Sequence, residues 1–399
     1  MDTTWVKIPD VLFFQEGPGV RNTQYTEQGV KLLNVANLVD GNVDLSTSDR
    51  YISEEEAYGK YKHFLCDVGD FIVASSGIKV EYIDKKMGFI DKTMLPLCMN
   101  TSTIRFKVLD KSKLNIRYFM YYLKSHHFKD QLAIHITGSA QLNYGPSHLK
   151  KMTMPLIELD KQQEIVSTLD KLQSIITHLR IQLEKLDLLV KARFVEMFGE
   201  VATENYKYPT YKLGNVAYVG SSHRVFTSEF VEKGIPFYRG TEIGELASGC
   251  KPTESFYISE EHYNKISSDN TKPQIGDLLM PSICNKGQVW RVDTDEPFYY
   301  KDGRVLCISA DRDKYNTVFL QFFMREKTII EYPKLGSGST FAEFKIFLLK
   351  DIDVLTPPID LQTQFADFVK QVDQSKSILQ QELDKTQTLF DSLMQEYFG

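Results

Sequence analysis

Two long stretches of the chain carry apolar residues that are alternately three and four positions apart. This spacing keeps one stripe of a helix facing a partner and predicts coiled-coil helices. The second stretch repeats the first after 200 residues, and both end in Phe-Gly. The first seam contains Ile165, Leu169, Leu172, Ile176, Leu179, Leu183, Leu186 and Val190, and the second contains Phe365, Val369, Val372, Leu379, Leu383, Phe390, Leu393 and Tyr397.

The two seams are predicted to pair with each other. A single heptad segment is typical of a homodimeric zipper, and that interpretation stays open. Two copies in one chain favour an intramolecular pair, which a two-fold relation between the halves makes antiparallel. Arg193, Lys376 and Thr386 interrupt the seams with polar side chains. Each of them either helps to set the register or lies at a frayed or solvated end, and both interpretations stay open.

The repetition extends beyond the helices. Four segments, at 29–34, 51–55, 68–73 and 118–124, have ordered counterparts at 234–239, 257–261, 275–280 and 319–325. Their offsets drift, which indicates homologous halves with loop insertions. The β-branched and aromatic runs 70–74, 103–108 and 305–308 predict strands, whereas 118–124 and its counterpart predict short helices. Gly69-Asp70 and Gly276-Asp277 predict turns that lead into strands.

Both halves follow one order of segments. A Gly/Ser-rich loop, at 137–144 and 336–340, precedes a proline hinge, at 155–159 and 357–361, and then a long helix. Proline disfavours helix in the residue before it, so each hinge marks a boundary. The predicted fold is α+β: two pseudo-two-fold-related mixed α/β domains, at 1–155 and 200–356, separated by two long antiparallel coiled-coil helices, at 156–199 and 357–399.

Charge is unevenly distributed along the chain. The net charge is −6, yet residues 1–153 hold 19 Lys and Arg against 17 Asp and Glu, and residues 201–355 hold 19 against 21. Each large segment therefore keeps enough cations for a local phosphate-facing patch. The sequence has no apolar run of membrane-spanning length and no secretion signal, and its five cysteines are dispersed. These features predict a cytoplasmic protein.

The usual catalytic signatures are absent from the sequence. It contains no GxxxxGK[ST] loop, no GxGxxG after a strand, no HExxH and no GxSxG. His126-His127 lacks further metal ligands nearby, and Pro357-Pro358 does not resemble an amino-methyltransferase motif. We therefore predict a non-catalytic binding protein with no cofactor and no metal of its own.

In its order of segments, the chain resembles the DNA specificity subunit of type I restriction-modification systems. The resemblance rests on residues 17–20, the two Gly-Asp strand entries, residues 155–166 with Gln162-Gln163-Glu164, and above all the ordered duplication. The second hinge, with Gln362-Thr363-Gln364, departs from the family pattern. The resemblance implies two target recognition domains that each read half of a split double-stranded DNA site, with the helices setting the spacing. It also implies two partner methyltransferase subunits that bind S-adenosylmethionine and methylate adenine, and a translocase-nuclease subunit that cuts.

Polar loop residues are the candidates for DNA contacts, since base edges and phosphates bind Arg, Lys, Asn, Gln, Ser, Thr and Tyr side chains. In the first half they are Arg21, Asn22, Gln24, Tyr25, Ser75, Ser76, Lys79, Ser139, Gln141, Asn143 and Tyr144. In the second half they are Ser221, Ser222, His223, Arg224, Arg239, Asn285, Lys286, Ser337, Ser339 and Thr340.

Two other functions stay open from the sequence. One is the recognition subunit of a fused restriction-methylation enzyme, which a methyl-transfer assay on the isolated chain tests. The other is a scaffold that oligomerises through its heptads, which the mass in solution and the affinity for DNA distinguish.

Overall fold

The computed structural model describes residues 4–135, 142–253, 256–267, 271–335 and 342–399. It divides into two compact units. Unit 1 comprises Met1–Leu179 with Glu382–Gly399, and unit 2 comprises Arg180–Gln381. Both units mix helices and strands, and along the chain a long helix separates two sheet-rich segments, which confirms the predicted α+β class. The four-segment domain division stays a prediction, because each long helix contributes residues to both units.

Unit 1 contains thirteen described strands, most of them short. They are β1 (Thr4–Lys7), β2 (Leu12–Glu16), β3 (Val30–Leu33), β4 (Leu38–Val39), β5 (Asn42–Val43), β6 (Tyr51–Ile52), β7 (Phe71–Ala74), β8 (Ser76–Ile78), β9 (Met87–Phe89), β10 (Leu97–Met99), β11 (Thr103–Val108), β12 (Leu142–Asn143) and β13 (Thr153–Leu156). Its helices are α1 (Ile8–Val11), α2 (Glu54–Tyr58), α3 (Ile116–Lys124), α4 (His126–His135), α5 (Pro146–Leu149) and the first half of α6 (Leu159–Phe198).

Two sheets organise unit 1. The first is antiparallel with the strand order β2-β11-β7-β9, and the second has the order β10-β3-β6, in which β10 runs parallel to β3. The first sheet is buried by α3, because the Phe119 ring packs 5.1 Å from Phe106 and 6.3 Å from Phe71. The strands predicted at 70–74 and 103–108 and the helix predicted at 118–124 are therefore confirmed.

Unit 2 repeats the main strands and helices of unit 1 and differs in its shorter elements. Its described strands are β14 (Gly199–Glu200), β15 (Asn205–Tyr206), β16 (Thr210–Lys212), β17 (Ala217–Gly220), β18 (Phe230–Val231), β19 (Ile235–Tyr238), β20 (Phe256–Ile258), β21 (Leu278–Pro281), β22 (Trp290–Arg291), β23 (Tyr299–Tyr300), β24 (Val305–Ala310) and β25 (Asp353–Leu355). Its helices are α7 (Leu213–Val216), α8 (Gly240–Ala247), α9 (Glu260–Ile266), α10 (Thr317–Glu331), α11 (Ile346–Lys350) and the first part of α12 (Ile359–Phe398).

The sheet topology of unit 2 repeats that of unit 1. One antiparallel sheet has the order β17-β24-β21-β22, and the other has the order β18-β20-β19-β23 with β23 parallel to β19. The parallel pair β19/β23 thus corresponds to β3/β10. The internal repeat predicted from four short segments is confirmed in these two sheets, although the second sheet of unit 2 has an additional strand, β18.

The predicted Gly-Asp turns are also confirmed. Gly69 and Gly276 have φ values of +86° and +88°, a left-handed conformation that favours glycine. The buried carboxylates of Asp70 and Asp277 each accept a bond from the backbone N–H three residues earlier. Each turn is therefore held closed just before its central strand.

The long helices pack antiparallel to each other. In unit 2, Asp187 pairs with Lys376 at 2.6 Å, and the Phe198 ring lies 5.7 Å from the Phe365 ring. Later residues of α6 therefore contact earlier residues of α12. In unit 1, Ile165, Leu169 and Ile176 share a core with Phe390 and Phe398. All the predicted seam residues are buried or half-buried.

The polar residues predicted on the seams behave differently from one another. Lys376 bridges the helices through Asp187, and the Arg193 guanidinium lies 6.0 Å from the centre of the Phe368 ring. Thr386 does not bridge, because its hydroxyl donates to the carbonyl of Glu382 one turn earlier on the same helix. Whether Thr386 helps to set the register stays a prediction.

Candidate nucleic-acid interface

The parallel strands of unit 1 bring two asparagines together. Asn34 follows β3 and Asn100 follows β10. Because these strands are parallel, both residues lie at the same end of the sheet. The Asn100 Nδ2 atom donates to Asn34 Oδ1 at 2.8 Å, and the two residues are only 3% and 9% exposed. A buried amide needs such partners to offset its desolvation. The asparagine pair therefore forms a fixed polar floor.

A cleft of about 440 Å³ opens above this floor, and we call it the polar cleft. It is lined by Val20, Tyr25, Asn34, Val35, Ala36, Thr47, Ser48, Arg50, Asn100, Thr101 and Ser102. Its lining offers hydroxyls, amides, a guanidinium and apolar side chains but no carboxylate, so no group repels a nucleic acid.

Tyr25 and Arg50 form one wall of the polar cleft. The Tyr25 hydroxyl accepts weak bonds from Asn100 Nδ2 at 3.4 Å and from Arg50 Nη1 at 3.5 Å. The Arg50 guanidinium lies 5.4 Å from the centre of the Tyr25 ring, within cation–π distance. Arg50 is exposed and has no ion pair within the part of the chain that the structure describes. The cleft therefore presents a positioned cation.

Strand β8 extends this surface away from the polar cleft. Ser76 Oγ donates to Ser102 Oγ at 2.6 Å, and Asn143 is the strand partner of Ser76. Ser75 and Tyr144 are each 1% exposed, so they support the surface from below and do not line it. Burial raises the pKa of the Tyr144 phenol well above its usual value, so this side chain stays neutral.

A second depression of about 380 Å³ follows the end of β8, and we call it the lysine patch. It is lined by Val39, Asp40, Gly77, Ile78, Lys79, Tyr82, Lys85 and Lys86. Tyr82 is 50% exposed, and the Lys85 ammonium lies 5.5 Å from the centre of its ring. None of the three lysines has an ion pair among the described residues. Clustered cations beside an exposed aromatic ring suit a phosphate backbone.

The remaining candidates of unit 1 differ in whether their side chains are hydrogen-bonded to other residues of the chain. Gln24 donates to Glu56 at 2.7 Å and to the Tyr61 hydroxyl at 3.0 Å, so its side chain holds a loop. Arg21 and Asn22 are exposed in the turn that leads to Tyr25. Ser139 and Gln141, like Ser337, Ser339 and Thr340 in the second half, lie outside the described residues.

In unit 2, the equivalent strand ends carry cations. Arg239 follows β19 and Lys301 follows β23, at the positions of Asn34 and Asn100. Arg239 donates through Nη2 to Glu242 Oε1 at 2.6 Å and through Nε to Oε2 at 3.1 Å. Burial by itself raises the pKa of the Glu242 carboxyl, but the hydrogen bonds from Arg239 lower it below its usual value. Glu242 therefore stays ionised and fixes the guanidinium.

The segment 221–224 lies against the end of β23. Ser221 Oγ donates to the carbonyl of Val305 and accepts from the N–H of Gly303, each at 2.8 Å, while Ser222 Oγ donates to the carbonyl of Tyr300. These serines therefore build the loop. His223 and Arg224 are exposed beside them.

Asn285 and Lys286 belong to a different surface of unit 2. Both are exposed in the loop after β21. Lys286 lines a cleft of about 440 Å³ together with Arg325 and Glu326 of α10, and Lys191 of α6. The structure does not bring these two candidates into the site formed by Arg239 and Lys301.

Sequence reasoning missed Asn34, Arg50, Asn100 and Lys301. The repeat contained a usable signal, because Asn34 and Arg239 end the matched segments 29–34 and 234–239. Arg50 directly precedes the repeated Tyr-Ile-Ser segment. Asn100 and Lys301 had no such signal, since only the parallel pairing of strands brings them to the site.

Comparison with known proteins shows which family this chain is similar to. Residues 6–185 match the family model of the type I restriction modification DNA specificity domain. Over 391 residues the chain is 23% identical to the putative type I restriction enzyme MjaX specificity subunit of Methanocaldococcus jannaschii, covering 92% of this chain and 85% of that protein. Residues 6–185 are thus similar to a type I restriction modification DNA specificity domain, and most of the chain is similar to a type I specificity subunit. The resemblance inferred from the duplication is thereby confirmed.

Further specificity subunits are similar to this chain in sequence or in fold. The chain is 24% identical over 209 residues to the type I restriction enzyme MjaVIII specificity subunit of the same organism, covering 51% of this chain and 47% of that protein. The crystal structure of the type I restriction-modification S subunit from M. genitalium has a TM-score of 0.58 at 16% identity, covering 100% of this chain and 96% of that one.

A second solved chain has the same fold. It comes from work on complex assembly and conformational transition of the type I R-M system, with a TM-score of 0.55 at 15% identity, and covers 99% of this chain and 97% of that one. Within the described ranges, no helix of this chain is long and apolar enough to cross a membrane, and no group of three or more ligating side chains could hold a metal ion.

Proposed function

We propose that this specificity subunit recognises a bipartite double-stranded DNA site, one half with each unit, and directs adenine methylation and cleavage by partner subunits. The observation that carries the proposal is the repeated site at the ends of the parallel strand pairs. In both units this site holds a guanidinium, of which that of Arg50 is exposed and that of Arg239 is half-buried. Guanidinium groups contact both base edges and phosphates in the grooves of DNA.

Unit 1 has separate surfaces for the two kinds of DNA contact. The polar cleft offers hydrogen-bonding groups of mixed type, which suits base edges. The lysine patch offers three cations without ion pairs in the described part of the chain, which suits phosphates. Strand β8 connects the two surfaces through Ser76 and Gly77. We infer that one half-site is read in the cleft while its backbone lies on the patch.

The long helices are the proposed docking surface for partners. In unit 2, Leu188 and Ile378 are 64% and 63% exposed on α6 and α12. In unit 1, Ile175 and Leu389 are 46% and 49% exposed on the same helices. Exposed large apolar side chains on a helix suit burial by another protein. We propose two methyltransferase subunits and a translocase-nuclease subunit as these partners.

The chemistry is assigned to the partners. We propose that this chain is non-catalytic, and that the methyltransferase subunits bind S-adenosylmethionine and carry out base extrusion and methyl transfer. All five cysteines are free thiols, which agrees with the reducing cytoplasm in which we propose that the complex acts.

Methylome sequencing tests the proposal. Cells that express this chain with its cognate methyltransferase subunit should carry methyladenine within one split motif, and cells that express the methyltransferase alone should not. The absence of any split motif in the first cells would overturn the proposal. A self-associated chain that binds no DNA, even with the methyltransferase subunit, would favour the oligomerising scaffold instead.

A further inference from the structure

The two units contain an arginine–aromatic pair at the same place. Their strand registers make four positions of the site equivalent. Tyr25 corresponds to Phe230 because each directly follows a 3₁₀ turn, Asn22–Gln24 in unit 1 and Thr227–Glu229 in unit 2. Asn34 corresponds to Arg239 because Asn34 directly follows β3 and Arg239 directly follows β19. Arg50 corresponds to Phe256, since Arg50 faces Leu32 of β3 and Phe256 faces Phe237 of β19. Asn100 and Lys301 complete the set.

The arginine occupies a different one of these positions in each unit. In unit 1 it is Arg50, 5.4 Å from the ring of Tyr25. In unit 2 it is Arg239, 4.1 Å from the ring of Phe256, which itself occupies the position of Arg50. The arginine–aromatic pair therefore occurs in both units although no single position carries the same residue in both. A guanidinium against an aromatic ring is common to both units, although the residues that form it are exchanged.

The surroundings of each guanidinium favour a base over a phosphate. Glu242 is 1% exposed and lies 2.6 Å from Arg239, so a phosphate at this guanidinium would meet a fixed carboxylate. A base edge carries no net charge, so the repulsion is much weaker than for a phosphate. In unit 1 the phosphate role is available to Lys79, Lys85 and Lys86, which leaves Arg50 in a cleft of neutral groups.

The preferred base follows from hydrogen-bond geometry. Arginine presents parallel N–H donors, and guanine presents the matching O6 and N7 acceptors at its major-groove edge. The aromatic ring restrains the plane of the guanidinium and reduces the entropy lost on contact. We propose that Arg50 and Arg239 are equivalent base readers, each directed at a guanine in the half-site of its own unit. This inference rests on the proposed bipartite recognition.

The test is methylome sequencing of cells in which the methyltransferase subunit is paired with variants of this chain. Arg50→Ala and Arg50→Lys should keep a split motif but relax one guanine position in one half, with discrimination falling about 10- to 100-fold. Lys92→Ala, which removes an exposed cation of unit 1 outside both surfaces, should leave the motif unchanged.

The role of Arg239 in unit 2 is tested with a double substitution, because removing Arg239 alone would leave Glu242 as an unpaired buried charge. The double substitution Arg239→Gln with Glu242→Gln keeps the pair hydrogen-bonded and neutral, and circular dichroism should show an unchanged fold. It should relax one guanine position in the other half of the motif, and Arg50→Ala should not affect that half.

Three outcomes would overturn the inference and leave bipartite recognition standing. The first is an unchanged split motif for all the arginine variants. The second is a relaxed position that is not guanine. The third is a uniform loss of affinity for all sequences with a lower salt dependence, because that is the behaviour of a phosphate contact. Loss of every split motif, including that of the unsubstituted chain, would instead contradict the proposed function.

Discussion

Gln162 and Gln362 make the same three hydrogen bonds, each within its own unit. Gln162 Nε2 donates to the carbonyls of Lys113 and Ile157, and its Oε1 accepts from the N–H of Asn115. Gln362 bonds to Lys314, Pro357 and Asn316 in the same way. Both glutamines are fully buried. Each one ties the first turn of a long helix to the hinge before it and to the loop before α3 or α10.

Removing the three hydrogen bonds of either glutamine should destabilise the unit that contains it. Gln162→Ala leaves an N–H and two carbonyls without their partners, so we expect a loss of about 2–5 kcal/mol in the free energy of unfolding. Chemical denaturation followed by circular dichroism measures the loss. Gln163→Ala, at the exposed neighbouring position, should change stability by less than about 0.5 kcal/mol. Equal effects of the two substitutions would contradict the role of Gln162.

The lysine patch should control affinity and leave sequence choice unchanged. Replacing Lys79, Lys85 and Lys86 by Ala should weaken DNA binding by the complex for all sequences. The slope of log K against log salt concentration should fall by about 0.9 for each phosphate that the substituted chain no longer neutralises. Fluorescence anisotropy over a salt series measures both quantities.

A control for the patch removes the same charge elsewhere. Lys92, Lys150 and Lys151 are exposed in the same unit and outside the patch, and their triple alanine variant should keep the original slope. If both triple variants reduce the slope equally, the effect comes from net charge and not from the patch.

A buried lysine should make the stability of unit 2 depend on pH. The Lys327 side chain is 3% exposed and pairs with Glu204 at 2.6 Å and Glu331 at 3.0 Å. Burial by itself raises the pKa of Glu331, but bonds from Lys334 and Lys327 lower it below its usual 4.5. A lowered folded-state pKa stabilises the fold above the unfolded pKa, and this contribution disappears as the pH falls through the folded value.

Replacing Lys327 by Met should therefore cost more stability at neutral pH than at acid pH. We expect the free energy of unfolding to fall by about 1–3 kcal/mol at pH 7. This range is lower than for a fully buried ion pair, because Glu204 is half exposed to solvent. The difference from the unsubstituted chain should shrink as the pH falls below about 4.5, where the carboxylates become protonated. Urea denaturation at several pH values measures it, and a constant difference would argue against the ion pair as its cause.

The exposed apolar side chains of the long helices should bind the methyltransferase subunit. Leu188→Glu and Ile378→Glu each place a charge where the proposed interface is buried, so we expect affinity for the partner to fall about 10-fold or more. Isothermal titration calorimetry measures the affinity. Phe347→Glu alters a side chain that is 69% exposed on α11, outside these helices, and should have no effect.

The sequence by itself determined the features that depend on local pattern. The heptad seams predicted both long helices, because an apolar stripe is stable only when it is buried against a partner. The Gly-Asp pairs predicted both turns, because few residues other than glycine adopt a positive φ. The duplication predicted two equivalent halves and the resemblance to type I specificity subunits. Tyr25 and Arg239, which the sequence analysis named, lie at the two candidate sites, and their contact with DNA stays a prediction.

The tertiary structure decided which polar residues meet. Asn34, Arg50 and Asn100 are far apart in sequence and come together only because β3 pairs with β6 on one side and with β10 on the other. Burial separated Ser75 and Tyr144 from the surface residues around them. Strand pairing and burial depend on contacts between distant segments, and no local pattern of residues specifies those contacts.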